Sequence, residues 1–230
     1  MRPSWRHKAL NLALVVVDTL VVRLLLPVSL IEVALIVRQH HIGILNLVTW
    51  PSAAAVLISV LILDLIIYVQ HLVFHHVPLL WRLHRVHHTD PVLDVTSGVR
   101  FHPLEIALSA LIKVAAIAAF GVAPFAVLIF EVLLNVSSIF NHANWKLPER
   151  TDRLLRLLLV TPGMHRVHHS AVTGELNTNF GFNLSWWDRL FRTYRPRSAT
   201  PAADMPIGLP GEVGVYRGFL ELLWLPFRRT

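Results

Sequence analysis

The stretch that most constrains this chain begins at Pro51. An apolar run continues from there to about Val77 and passes directly into HLVFHHVPLLWRLHRVHH, residues 71–88. About 20 helical residues cross a hydrocarbon core of about 30 Å, so a helix that starts at Pro51 leaves the membrane near Gln70. Proline suits that start, because the N–H it lacks would be unpaired in a first turn anyway. His71 and His75 then stand just beyond the interface on the continuation of the helix. They are i and i+4, and His84, His87 and His88 are i, i+3 and i+4, so each set is expected to point its rings one way. Residues 165–169 repeat the word as HRVHH, with His165, His168 and His169 in the same spacing. A single histidine is usually a surface or a satisfied core residue, but three clusters at helical spacing are hard to explain by packing. Histidine is the commonest metal ligand among side chains, and the reading is a metal site.

Composition extends that argument to the whole chain. With 54% hydrophobic residues, 15% charged residues and a mean hydropathy of +0.56, the expectation is an all-α integral membrane protein of one domain. There is no cysteine, so thiolate metal sites, disulfides and thiol catalysis are excluded. The spans are expected at about 9–37, 51–77, 104–120 and 122–140, the last two joined as a hairpin through Gly121 to Pro124. The first is read as a retained helix, since its apolar stretch runs on to Val37 without a small-residue cleavage site. Asp18, Arg23 and Glu32 interrupt it and are expected to face the bundle or lie near its ends. Lys113 and Glu131 are each nine residues from Val122 and are expected to pair.

Residues 78–102 read as a polar connection. From Ala143 onward the chain is Arg-rich and punctuated, which suits a soluble cap. Tyr216, Leu220, Leu223, Trp224 and Phe227 make an amphipathic stripe suited to a helix lying on the membrane surface. If the termini and the histidine clusters share one side, that side carries 18 of the 21 basic residues, including Arg2 and Arg229, which makes it cytosolic. The same rule accounts for the formal charge of +7 better than nucleic acid does, because the basic residues are not interleaved with stacking aromatics. His40 and His41 fall in the turn on the opposite side. Asp64 shares a helical face with Tyr68, His71 and His75, and Glu131 shares one with Asn135, Ser138 and His142. Asn141 and His142 lie level with His102. Asp64, Asn141 and Glu131 are therefore candidates to support the site from behind.

Taken with their neighbours, these words resemble the three histidine boxes of the fatty acid hydroxylase and sterol desaturase superfamily. LWRLHRVHHTD, HPLE, NHANW, TPGMHRVHHS and NTNFGFNLSWWDRLFRTY are similar to the corresponding words of its bacterial members over about residues 64–194. The resemblance implies a membrane-bound di-iron oxygenase with a four-helix stem and a cytosolic cap, in the inner membrane of a bacterium. It implies a lipid substrate, O2, and electrons from a separate ferredoxin, cytochrome or reductase. Its carried ligands are His71, His75, His84, His87, His88, His165, His168 and His169, with His102 and His142 as the completing pair; His76 is left out.

The donor set fits that chemistry on its own terms, because ten neutral imidazoles shared between two irons leave room for O2 and keep the ferrous state accessible. Zinc is expected as a substitute in purified protein, since it binds such sites more tightly than ferrous iron. A zinc hydrolase would need fewer ligands and an HExxH glutamate that is missing. A haem protein or metal transporter would place its histidines near the bilayer midplane. The family's habits favour hydroxylation over desaturation.

Overall fold

Prolines and caps set the element boundaries. The computed structural model describes residues 4–201 and 204–228, so Arg2 and Arg229 lie outside it. Helix α1 (Trp5–Leu25) is capped by Ser4, whose side chain accepts from the His7 N–H. The chain then breaks. Pro27 can neither donate to Arg23 nor fit beside its carbonyl, and Ser29 restarts the helix as α2 (Leu30–Gln39) through a reciprocal capping box with Glu32. The first apolar stretch is therefore two helices rather than one continuous span from 9 to 37. Glu32 serves its cap rather than the bundle, whereas Asp18 is buried against the bundle as expected.

After a 3-10 turn at Ile44–Leu47, α3 (Ser52–His76) crosses back. Residues 78–102, expected as a polar connection, begin instead with a regular helix, α4 (Pro78–His88), with proline at its first position. Helix α5 (Pro103–Phe120) starts behind the N-cap His102 and ends at Gly121, whose left-handed φ of 70° turns the chain toward α6 (Pro124–His142). At this far end Gly43 meets that turn so closely that an added Cβ would stand 2.1 Å from the Gly121 nitrogen. The turn that carries His40 and His41 is thereby held at the end of the bundle opposite the start of α5.

Four segments are long and apolar enough to cross a bilayer: Trp5–Leu47, Ser52–His76, Pro103–Phe120 and Pro124–His142. Leu57, Leu111, Phe125 and Val136 are exposed on the outer faces, while Asn11, Asp18, Ser59 and Asp64 are buried. That is the polarity of a bundle whose solvent is hydrocarbon. Its core joins α2, α3, α5 and α6 through Ala34, Leu63, Ile67, Ile117, Val127 and Phe130, and reaches Phe182 of the cap. Lys113 donates to Glu131 at 2.7 Å, the expected pair between α5 and α6.

The cap adds α7 (Glu149–Leu155), α8 (Pro162–His168), α9 (Trp186–Leu190) and α10 (Phe219–Trp224), with two isolated bridges and no strand among the described residues. The expected surface stripe is shorter than its pattern. Tyr216 precedes α10, and Leu225–Phe227 continues as a 3-10 turn. Leu220, Trp224 and Phe227 are exposed, whereas Leu223 packs beside Leu14, Val86, Leu222 and Leu225.

Candidate metal centre

Four elements bring nine histidines together. α3 supplies His71 and His75, α4 supplies His84, His87 and His88, α6 supplies His142, and α8 with its C-cap supplies His165, His168 and His169. They form two groups, His71 with His75, His84, His88 and His168, and His87 with His142, His165 and His169. Within each group the candidate ligand atoms lie within 4.8 Å of one another, and all nine residues are buried.

Each HxxHH word is split between the groups. Residues i and i+4 lie 40° apart on a helix and i+3 lies 60° to the other side, so i+3 and i+4 diverge by 100°. His84 and His88 join one group and His87 the other; His165 and His169 join the second and His168 the first. The expectation that each triplet aims one way is corrected: each one straddles the two groups and ties them together.

The rings are oriented from behind. His71 Nδ1 donates to the Phe180 carbonyl (2.8 Å), His75 Nδ1 to Asn177 Oδ1 (3.2 Å), His84 Nδ1 to Glu105 Oε1 (2.6 Å) and His168 Nδ1 to the Thr178 carbonyl (2.8 Å). A carbonyl has no proton to give, so Nδ1 carries it and Nε2 keeps its lone pair. The Nε2 atoms of these four histidines are buried and have no hydrogen-bond partner. In the second group His87 Nδ1 donates to the Arg100 carbonyl (3.1 Å) and His142 Nδ1 to the Ser138 carbonyl (2.7 Å). Their Nε2 atoms nevertheless face each other at 3.1 Å, with His165 and His169 at 3.0 and 3.2 Å from His142. The lone pairs that His87 and His142 turn toward each other repel at such a distance unless a cation lies between them. The residues therefore fit metal ions.

Electrostatics agree. Burial pushes the His84 imidazole down to about 3, and burial reinforced by neighbouring histidines holds His87, His88, His165, His168 and His169 well below the usual range. Neutral imidazole is the form that ligates.

Of the other candidates, His102 stands outside both groups. Its Nδ1 accepts from the Leu104 N–H (3.2 Å) and its Nε2 lies 3.1 Å from the Leu223 carbonyl, so it caps α5 and meets the C-terminal segment. His76 is exposed at the rim. Asp64 accepts from Asn183 (2.8 Å), from Trp187 Nε1 (2.8 Å) and from the Leu184 N–H, which locks the cap to α3 without touching a histidine. Asn141 donates to the Phe182 carbonyl, and Glu131 holds Lys113.

The supports that sequence reasoning missed are Glu105, Asn177 and Arg100. Glu105 lay within the HPLE word and Asn177 opens NTNFGFN. Arg100 had no signal of its own, because it acts through its backbone carbonyl. Its buried guanidinium donates to Asn11 (2.9 Å), to Thr89 (2.9 Å) and to the Val86 carbonyl. Asp90 joins this network, taking 2.7 Å contact from His7 and a hydrogen bond from Ser97. Burial pushes the Asp90 carboxyl up, but His7 and the Arg100 charge outweigh it and hold it below the usual range.

Comparison with known proteins gives a consistent family. The chain is 33% identical over 181 residues to an ornithine lipid hydroxylase, OlsE, from Rhizobium tropici, covering 78% of this chain and 52% of that protein. It is 29% identical over 184 residues to an alkylglycerol monooxygenase from Danio rerio (77% and 38%), and 29% identical over 142 residues to a cholesterol 25-hydroxylase from Rattus norvegicus (61% and 46%). The chain thus spans about half the length, or less, of these relatives. No solved structure matches it. The family pattern described as fatty acid hydroxylase matches residues 56–193, the stretch that holds all nine clustered histidines, and the chain belongs to the fatty acid hydroxylase family.

Proposed function

We propose that the protein is a lipid hydroxylase whose nine clustered histidines hold two iron ions, five imidazoles around one and four around the other. The observation that carries this reading is the pair of buried histidine groups whose ring nitrogens converge within 4.8 Å. Iron bound there would supply the redox chemistry that O2 activation needs. The protein's own part is to keep the imidazoles neutral, to fix the rings of His71, His75, His84, His87, His142 and His168 through their Nδ1 hydrogen bonds, and to exclude water beneath the cap. The overall change inserts one oxygen atom of O2 into a C–H bond. The other atom leaves as water, with two electrons and two protons from a separate donor such as a ferredoxin, cytochrome or reductase.

The relatives' names, all hydroxylases or monooxygenases, support hydroxylation over desaturation. The excess of basic residues supports a cytosolic metal centre in a bacterial inner membrane, with the lipid reaching it from the bilayer. Zinc would occupy the same imidazoles in protein purified without iron. Incubation of the iron-loaded protein with bacterial lipid, an electron donor and 18O2 tests the reading. The expected result is a lipid heavier by one labelled oxygen. An unlabelled alkene product would show desaturation, and no oxidised lipid at all would remove the oxygenase.

A further inference from the structure

A cavity of about 440 Å³ lies beneath the first histidine group, bounded by α1, α3, α5 and α6, and His71 and His84 form its upper wall. Much of its lining is apolar, including Leu26 and Leu30 at the break between α1 and α2. Irregular backbone at membrane depth is tolerated where it borders a cavity, and this break does so. The polar part of the wall is the unusual one. Asp18 Oδ1, Gln70 Oε1 and Glu105 Oε2 all line this cavity, are buried, and have no hydrogen-bond partner. Asp18 is 6% exposed and Glu105 3%. Gln70 spends its amide N–H on Ser109 (3.1 Å), and Glu105 spends its other oxygen on His84 (2.6 Å), so each turns an acceptor into the cavity. Three buried oxygens without a partner are costly in a low-dielectric setting, and each, carboxyl or amide, keeps a lone pair able to accept. Of the two cations in the wall, Lys113 is held by Glu131, and Arg23 makes no hydrogen bond or ion pair to any of the three oxygens.

We propose that this acceptor cluster binds a hydrogen-bond donor on the substrate, a hydroxyl or an amino group, and so places the oxidised carbon near the polar end of the lipid. The proposal rests on the lipid hydroxylase reading for the word "oxidised" only; the binding itself needs no turnover. Because Glu105 touches both the cavity and His84, the donor group sits beside the imidazoles. The alkyl chain runs away along the apolar wall toward Leu26 and Leu30 and out to the bilayer. A plain hydrocarbon segment at this point would leave all three acceptors buried and unpaired, which disfavours oxidation far from a polar group.

Photo-crosslinking of the full chain in lipid nanodiscs tests this with three probes of equal chain length: a hexadecyl alcohol, a hexadecyl amine and hexadecane, each carrying a diazirine near one end. The expected result is labelling of peptides from α1 and α5 by the alcohol or the amine at least about tenfold above the alkane, the better of the two naming the donor. Asp18→Asn and Gln70→Leu should each cut that preference several-fold while the metal bound per chain is unchanged, since neither side chain contacts a histidine of the two groups. Equal labelling by the alkane, or a preference that survives both substitutions, would overturn the proposal. Selective labelling without 18O incorporation would instead reject the oxygenase and leave the donor site standing.

Discussion

At the level of single residues, the site depends on what stands behind each imidazole. Glu105 fixes His84 at 2.6 Å. Glu105→Leu should lower metal affinity by about 10- to 100-fold, the usual effect of removing a hydrogen-bond partner of a ligand, as read by competition with a chromophoric chelator. His102 provides the contrast. His102→Asn keeps a side chain able to cap α5 and should leave the metal count at the wild-type value, whereas His87→Ala should lower it. Much of this was legible in sequence, because nine of the ten histidines singled out there are brought together. That His102 lies outside both groups was not legible, because a histidine before proline has the same letters whether it faces a metal or caps a helix. The carbonyls of Arg100, Ser138, Thr178 and Phe180 had no signal, since every residue carries one.

Among the helices, spacing revealed which residues share a turn but not where a neighbouring element lies. The i, i+3, i+4 pattern was visible, yet its division between two groups depends on α8 packing against α6 while α4 packs against α3. The hairpin of α5 and α6 was legible because Gly121 and Pro124 leave few alternatives, and the same depth argument found the Lys113–Glu131 pair. The break at Pro27 was read through, because hydropathy averages over it. It is nonetheless written in local chemistry, as a proline followed by a Ser-x-x-Glu capping box. Ser29→Ala should cost about 1 kcal/mol, seen as a lower thermal midpoint in detergent, with Ser29→Thr restoring most of it.

For the molecule as a whole, apolar helices carry buried imidazoles whose ring nitrogens converge in two groups. The metal-free protein should be acid-sensitive for that reason. The folded state holds His84 at about 3 against an ordinary 6.5. Below about 6.5 the unfolded chain therefore binds protons that the folded chain refuses, and stability falls as the pH drops from there toward 3. Thermal unfolding of the metal-free protein between pH 7.5 and 4 should show a midpoint that is level down to about 6.5 and declines below it, and a flat profile throughout would show that the histidines are not buried neutral. The most direct measurement is the metal content of the full chain in detergent after anaerobic loading with ferrous iron, counted by elemental mass spectrometry against protein concentration. Two irons per chain are expected, with His168→Ala and His87→Ala each lowering the count; one iron, or none, would contradict the two-ion centre.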